Sequence, residues 1–235
     1  MNDLFTTLLR GRKVLLGRDF YQWRQLKTKR LTLGNRYADW TFCPESIDRN
    51  SVIYSFGVGR DISFDLALIR QFHLEVHAFD PSPDSVEWIG TQELPETFHF
   101  HPYGLAATDG QISFAEPADP GIRSLYASSA EDTAGKGLKE HVLPVRRLST
   151  ILQTLGHQRI DILKMDIEGA EYEVVEDMLE ALVPVSQVLV EFHHRFSHVG
   201  IGRTRQAIAR MNRAGYRIFH VSATGEEFSF MKTEG

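Results

Sequence analysis

The sequence predicts an α/β fold in which a mainly parallel, doubly wound sheet carries helices on both faces. From Ser51 onward, short apolar runs of strand length alternate with segments of helical period, a pattern typical of parallel sheets. The chain has 235 residues, of which 42% are hydrophobic and 24% charged, so a well-buried core is expected and disorder is not. We expect one main domain over residues 40–235 and an N-terminal extension over residues 1–39.

The first half of the predicted sheet is built around two turns. The first buried run ends in the glycine-bearing turn Gly57–Val58–Gly59, and a helix with Ile62, Leu66 and Ile69 on one face follows. The second run is closed by Asp80-Pro81-Ser82-Pro83, where neither proline can continue a strand. The strands predicted in this half are 51–56, 74–79, 97–101 and a short edge strand at 111–114.

The second half repeats the alternation after a break. Residues 115–140 have no strong period and are interpreted as a long loop or insertion. One helix ends near Gly156, a second is ended by Pro184, and a third is ended by Gly215. The last two strands are joined as a hairpin. The strands predicted in this half are 142–146, 159–165, 187–192, 216–221 and 226–231.

The charge is distributed unevenly. Residues 1–50 contain ten Lys or Arg against five Asp or Glu, although the whole chain has a net charge of -5. We interpret residues 1–39 as a helical extension whose apolar stripe packs on the main domain. A surface for acidic partners, with weak peripheral contact to a membrane, is the alternative. The overall charge argues against a nucleic-acid partner.

Compartment and assembly are indicated only indirectly. The single cysteine, Cys43, cannot form an internal disulfide. No apolar run is long enough to span a bilayer, and the first residues fit a secretory signal poorly. We therefore expect a cytoplasmic protein. The sequence does not predict its oligomeric state.

Ligands of such sheets bind at the carboxyl ends of the strands, where the strand order reverses. In the first turn, Gly57 and Gly59 let the backbone approach a ligand closely, but Ile62 stands where a dinucleotide fingerprint has its third glycine. Asp80 ends the next strand, where a carboxylate can accept hydrogen bonds from both ribose hydroxyls. The alternative is that Asp80 only forms a turn before Pro81.

Carboxylates and histidines follow the later strands. Asp166, Glu168 and Glu171 surround a strand-to-helix junction, where they can cap the helix or face a cationic ligand. Glu191, His193 and His194 end the next strand. A histidine there can remove a proton from a hydroxyl group, and since strand neighbours alternate faces, only one of the two is expected to point at a given site.

Five segments in this order resemble the FkbM family of S-adenosylmethionine-dependent methyltransferases: YSFGVGRDISFD, EVHAFDPSP, LAATDGQISF, RIDILKMDIEGAEYEVV and VLVEFHH. The resemblance covers residues 40–235, and LKMDIEGAEYEVV is its most specific part. It implies a class I, Rossmann-like fold with seven strands, mainly parallel, of which the last is antiparallel. The implied activity is O-methylation of a hydroxyl on a sugar, polysaccharide or related metabolite.

The resemblance also implies roles for residues. Gly57 and Gly59 would lie against the methionine part of the cofactor, Asp80 would bind its ribose, and Asp166 would lie near the sulfonium and the acceptor. Gly104 and Leu105 would border the adenine. The predicted cofactor-binding residues are Phe56, Gly57, Gly59, Asp61, Asp80, Pro81, Gly104, Leu105 and Asp166.

Catalysis is assigned to the same edge of the sheet. His193 or His194 is the first candidate for the base, followed by Asp166, with Glu191 beside them. Arg123, Ser124 and Tyr126 of the insertion, with Glu168, are the candidate acceptor-binding residues. A divalent cation on Asp166, Glu168, Glu191 and His193 is an alternative that would lower the pKa of the acceptor hydroxyl.

Two further functions stay open at this point. One is a non-catalytic or peripheral binding module of a glycan-assembly complex, attached through the basic N-terminus. The other is an NAD-dependent reductase, which the missing third glycine opposes.

Overall fold

The computed structural model describes residues 3–17, 19–36, 38–115, 126–127, 140–196 and 199–233. The strands are β1 (Leu31–Leu33), β2 (Trp40–Phe42), β3 (Val52–Phe56), β4 (Glu75–Phe79), β5 (Phe98–His101), β6 (Gly104–Leu105), β7 (Gly110–Ala115), β8 (Tyr126–Ala127), β9 (Glu140–Arg146), β10 (Ile160–Met165), β11 (Val185–Glu191), β12 (Tyr216–Val221) and β13 (Glu227–Lys232). The helices are α1 (Asp3–Leu15), α2 (Ser63–Phe72), α3 (Pro83–Ile89), α4 (Leu148–Thr154), α5 (Glu171–Glu180) and α6 (Gly200–Arg213).

The predicted α/β class is confirmed, and the central sheet is mixed. Its strand order is β12-β13-β11-β10-β3-β4-β5. The five strands from β11 to β5 are parallel to one another, whereas β13 is antiparallel to both of its neighbours. From β3 the chain moves outward to β4 and β5 and then returns to β10 on the other side. The crevice between the carboxyl ends of β3 and β10 is therefore the switch point at which ligands bind in such sheets.

A second, four-stranded sheet has the order β6-β9-β7-β8. The sequence predicts β7 and β9 as strands, but it does not indicate that they form a sheet of their own. They pair in antiparallel register from Gly110 beside Val145 to Ala115 beside Glu140. Residues 116–125 and 128–139 of the predicted insertion lie outside the described residues. The second sheet contributes Phe114 and Leu143 to one wall of a cavity described below.

The N-terminal extension is helical only in its first part, which corrects the prediction of a helical segment over residues 1–39. After α1, the backbone N–H groups of Gln25 and Leu26 donate to the carbonyl oxygen of Ile218, at 2.7 and 2.9 Å. This segment thus gains backbone partners along β12, the edge strand of the sheet, and a helix would forgo them. The β1–β2 hairpin follows.

Buried residues on the two faces of the central sheet form two large apolar clusters. Every residue of β10 is buried, as expected for a central parallel strand covered on both faces. No helix within the described part of the chain has both the length and the apolar content needed to cross a membrane.

Candidate active site

The turn after β3 is fixed by a close approach between two backbones. Gly57 has a φ of 75°, and a Cβ on it would lie 1.7 Å from the carbonyl oxygen of Asp166. No other residue type fits there. Gly59 has a φ of 55°, but a Cβ on it would meet nothing within 4 Å. Gly59 therefore faces open space, into which a ligand can approach the backbone.

Asp80 links the ends of β3 and β4. Its Oδ2 accepts a hydrogen bond from the N–H of Gly59 at 2.9 Å, and its Oδ1 accepts from the N–H and hydroxyl of Ser82 at 2.9 and 2.6 Å. The turn geometry considered as the alternative is therefore present. Oδ1 already accepts two hydrogen bonds, whereas Oδ2 accepts one and keeps a second lone pair. Because Asp80 lines a cavity, Oδ2 can still accept a hydrogen bond from a ribose hydroxyl.

Two cavities within the described residues adjoin the strand ends, and the smaller, about 250 Å³, lies over the ends of β3 and β4. Phe56 and Phe79 stack beneath it with ring centres 4.3 Å apart, and Pro81 and Leu105 belong to its lining. Gly104 packs closely here, since a Cβ on it would lie 3.0 Å from the Cγ of Pro81. A slot with an aromatic and aliphatic floor and the carboxylate of Asp80 in its lining suits a nucleoside.

The larger cavity, about 640 Å³, lies on the other side of the glycine turn. It extends to Trp40, to the loop between β12 and β13, and to Glu191 at the end of β11. Four residues line both cavities, namely Gly57, Gly59, Arg60 and Asp166. The two cavities therefore meet at the glycine turn and at Asp166.

The lining of the larger cavity is acidic. Among its described residues, six carboxylates outnumber three Lys or Arg side chains. Burial raises the pKa of Asp65 to about 6, with Lys164 opposing the shift. Asp61 contributes to this lining rather than to that of the smaller cavity. Although burial raises its pKa, hydrogen bonds from Ser63 and Asn35 outweigh that effect and lower it. The negative charge of this lining favours the binding of cationic groups.

Lys164 is a site residue that the sequence analysis missed. It lies within the buried strand β10, and its Nζ donates to the carbonyl oxygens of Phe56 and Gly57 at 3.0 and 2.7 Å. The Nζ also lies 5.2 Å from the ring centre of Trp40. A lysine inside an apolar strand is costly unless paired, so this position carried a signal in the sequence. Through these two hydrogen bonds, the side chain of Lys164 links the glycine turn to β10.

His193 is oriented by a buried carboxylate. Its Nδ1 lies 2.7 Å from Oε1 of Glu171, whose side chain has no exposed surface. Its Nε2 lies 3.3 Å from Glu168, 3.7 Å from Asp166 and 4.0 Å from Glu191. One histidine nitrogen is thus held by the protein, and the other faces three carboxylates at the edge of the sheet.

These groups shift one another's pKa values. Burial lowers the pKa of His193, but the bond to Glu171 and the nearby Glu168 and Asp166 outweigh it and raise the pKa to about 10. Burial and repulsion from Asp166 raise the pKa of Glu191 to about 9. Burial also raises the pKa of Asp166, with Lys164 opposing. At neutral pH the imidazole of His193 is therefore already protonated.

The structure does not bring every predicted residue to the site. His194 points the other way: its Nε2 lies 3.5 Å from Asp19 and its ring packs on Phe20. Arg123 and Ser124 lie outside the described residues, and Tyr126 is described only as part of β8. Of the candidate acceptor-binding residues, only Glu168 is a described cavity residue.

The alternative of a divalent cation has partial geometric support. One ligand atom from each of Asp166, Glu191 and His193 lies within 4.8 Å of the other two. Glu168, the fourth predicted ligand, approaches His193 Nε2. This alternative stays a prediction.

A nucleoside-sized slot at the switch point of a mainly parallel sheet defines a Rossmann-like, nucleoside-binding class of protein. The family follows from comparison with known proteins. Residues 45–218 match the family described as the methyltransferase FkbM domain, and the chain belongs to that family. The resemblance seen in the sequence is confirmed.

Curated relatives carry methyltransferase names. The chain is 25% identical over 178 residues to "Probable methyltransferase-like protein 24" of Rattus norvegicus and of Homo sapiens, covering 72% of this chain and 42% of each relative. It is 28% identical over 153 residues to "Hexuronic acid methyltransferase AglP" of Haloferax volcanii, covering 63% of this chain and 59% of that relative. The chain thus spans less than half the length of the first two relatives.

Two solved structures are similar at low identity. A fibrillarin pre-rRNA processing protein of Methanococcus jannaschii aligns with a TM-score of 0.46 at 9% identity, over 80% of this chain and 69% of that one. M. jannaschii TYW2 in complex with AdoMet aligns with a TM-score of 0.31 at 9% identity, over 90% of each chain.

Proposed function

We propose that the chain transfers a methyl group from S-adenosylmethionine to a hydroxyl oxygen of a sugar or related hydroxylated metabolite. Family membership supports methyl transfer. The observation that carries the proposal is that two cavities meet at Gly57 and Asp166. A donor bound in one cavity and an acceptor bound in the other would come together there.

The residues of the smaller cavity fit the nucleoside part of the cofactor. Oδ2 of Asp80 would accept a hydrogen bond from the ribose, and the apolar slot between Pro81 and Leu105 would take the adenine. The open space at Gly59 allows the rest of the cofactor to cross the glycine turn into the larger cavity. The carboxylates of that cavity would offset its positive charges.

When bound, the cofactor supplies a methyl group already activated by the sulfonium. The chain's own residues then have to hold the acceptor in line and exclude water. Lys164 fixes the glycine turn, and Asp166 lies at the junction of the two cavities. Both therefore act on the relative position of donor and acceptor.

We propose Asp166 as the base that removes the proton from the acceptor hydroxyl. The sequence analysis put His193 first, but an imidazole with a pKa of about 10 already carries its proton at neutral pH. The pKa of Asp166 is raised by burial, which makes it a stronger base than an ordinary carboxylate. His193 is then the cation that neutralises the surrounding acids.

The charge of the larger cavity bears on the acceptor. One relative is named a hexuronic acid methyltransferase. In the larger cavity Glu191, with a pKa of about 9, is uncharged at neutral pH, but the other five carboxyl groups still outnumber the three Lys or Arg side chains, and this acidic lining disfavours an acidic sugar. We infer that the acceptor is neutral or carries an amino group.

Transfer of labelled methyl groups to a panel of neutral, amino and uronic sugars and their oligosaccharides tests this function. Labelling of a neutral or amino sugar is expected, with loss of at least about a hundredfold in Asp166→Asn. The matched control is Glu180→Gln, which changes an exposed carboxylate at the end of α5. Labelling of uronic acids alone would contradict the inferred acceptor, and undiminished transfer by Asp166→Asn would contradict its role.

A further inference from the structure

A second group of ligand-type side chains lies on β4 and on the edge strand β5, and lines neither cavity. Glu75 and His77 are two residues apart on β4, so they share one face of the sheet. His99 on β5 stands beside His77 in register. One ligand atom from each of these three residues lies within 4.8 Å of the other two.

The contacts in this group bring polar atoms together. Nε2 of His99 lies 3.2 Å from Oε2 of Glu75, and the rings of His77 and His99 stack with centres 4.8 Å apart. Nδ1 of His77 lies 3.1 Å from Nε2 of His101. Packing on a sheet face requires apolar surface, which many side chains supply, but it does not require two imidazoles to converge with a carboxylate.

We propose that Glu75, His77 and His99 form a binding site for a divalent transition-metal ion of the Zn²⁺, Co²⁺ or Ni²⁺ class. Two imidazole nitrogens and one carboxylate oxygen are a ligand set that these ions favour, whereas Mg²⁺ and Ca²⁺ prefer oxygen ligands. Three protein ligands leave further coordination positions to water. The Glu75 side chain is 65% exposed, so an ion can enter from solvent.

His101 belongs to the surroundings of this site rather than to its ligands. Its hydrogen bond to His77 would fix the orientation of that ring, as outer partners commonly do for metal-binding histidines. His101 also stacks on Phe79 with ring centres 4.6 Å apart, and Phe79 lies under the smaller cavity. A bound ion would therefore join β4 to β5 beside the cavity wall without entering the cavity.

Isothermal titration of the metal-free full-length chain with ZnCl₂ tests the proposal, with MgCl₂ as the comparison ion. One Zn²⁺ per chain is expected, together with a rise in Tm, because the ion binds the folded state. His99→Asn and Glu75→Gln are expected to weaken Zn²⁺ binding at least tenfold. His73→Asn, at an exposed histidine on the C-terminal cap of α2, is expected to leave it unchanged.

The carboxylates around His193 offer Zn²⁺ a competing site, which a His193→Gln variant identifies. Binding that disappears in His193→Gln but persists in Glu75→Gln would overturn the proposal, and so would the absence of Zn²⁺ binding in the wild-type chain. Glu75 is exposed, so its substitution leaves the fold intact, and circular dichroism checks this. None of these readouts depends on methyl transfer.

Discussion

Gly57 and Asp166 are in such close contact that the carbonyl oxygen of Asp166 occupies the space a Cβ on residue 57 would need, 1.7 Å away. The N–H of Asp166 also donates to the carbonyl oxygen of Phe56 at 3.2 Å. The glycine turn after β3 and the acidic junction after β10 are therefore one packed unit. Their relative position is set by these backbone contacts.

Substitution of the two glycines separates steric contact from backbone strain. Gly57→Ala is expected to destabilise the fold by at least about 3 kcal/mol, because the backbone of Asp166 must move. Gly59→Ala has open space, so only its left-handed φ opposes it, at a cost of about 1 to 2 kcal/mol. Urea unfolding measures both. Equal losses of unfolding free energy in the two variants would show that the contact with Asp166 adds nothing to the cost of substituting Gly57.

Asp80→Asn is expected to weaken binding of S-adenosylhomocysteine at least tenfold. The amide has one acceptor oxygen instead of two, so once it accepts from Gly59 or Ser82 its NH₂ group faces the other side, and the ribose hydroxyl loses its acceptor, which costs about 1 to 3 kcal/mol. Ser82→Ala is the matched control, since it removes the hydroxyl that donates at 2.6 Å but keeps the carboxylate. Calorimetry should show a smaller loss for Ser82→Ala. Wild-type affinity in Asp80→Asn would exclude a ribose contact.

The protonation of His193 can be observed directly. Because its pKa in the folded state is raised from 6.5 to about 10, the resulting stabilisation is fully present below about pH 6.5 and is lost as the pH rises through about 10. The ring nitrogens should give the NMR signals of the charged form at about pH 8. Glu171→Gln should lower the pKa. Titration of the wild-type ring near its ordinary value would contradict the proposed role of His193 as a cation.

Asp19 should stabilise the fold in a pH-dependent way. Burial raises its pKa, but His194, Arg195 and the N–H of Phe20 outweigh this and lower the pKa from 3.8 to about 2. The stabilisation is present above about pH 4 and is lost as the pH falls toward 2. It amounts to about 1 to 2 kcal/mol after allowance for screening.

Urea unfolding of wild type and Asp19→Asn measures this contribution. The variant should be less stable by a constant amount between about pH 7 and 5, and the difference should shrink toward about pH 2.5. A difference that does not change with pH would show that the charge of Asp19 contributes nothing. Asp19 joins the N-terminal segment to Arg195 at 2.6 Å, so the same variant also reports on that attachment.

The strand ends could be predicted because their chemistry is local. A glycine turn, an Asp-Pro turn and an aspartate after an apolar run are each visible in a few residues, and the rule for parallel sheets brings Gly57, Asp80 and Asp166 to one edge. The alternation of side chains along a strand likewise predicted that only one of His193 and His194 faces the site, although β11 itself ends at Glu191. Family resemblance then supplied the roles that turn chemistry alone could not.

The remaining features depend on contacts between distant segments. Lys164 acts on Gly57 through a neighbouring strand, and the separate sheet of β7 and β9 depends on pairing register, which a short apolar run does not specify. The helix predicted for the later part of the extension does not form, because the backbone N–H groups of Gln25 and Leu26 donate hydrogen bonds to β12 instead. The basic N-terminus as a membrane contact and the cytoplasmic location stay predictions.

A crystal structure of the chain with S-adenosylhomocysteine would test most directly whether the smaller cavity binds the nucleoside of the cofactor. We expect the nucleoside in the smaller cavity, with its ribose hydroxyls within hydrogen-bond distance of the Asp80 carboxylate and its sulfur beside Gly57 and Asp166. A smaller cavity that stays empty at saturating ligand, or a nucleoside bound away from Asp80, would contradict the proposal.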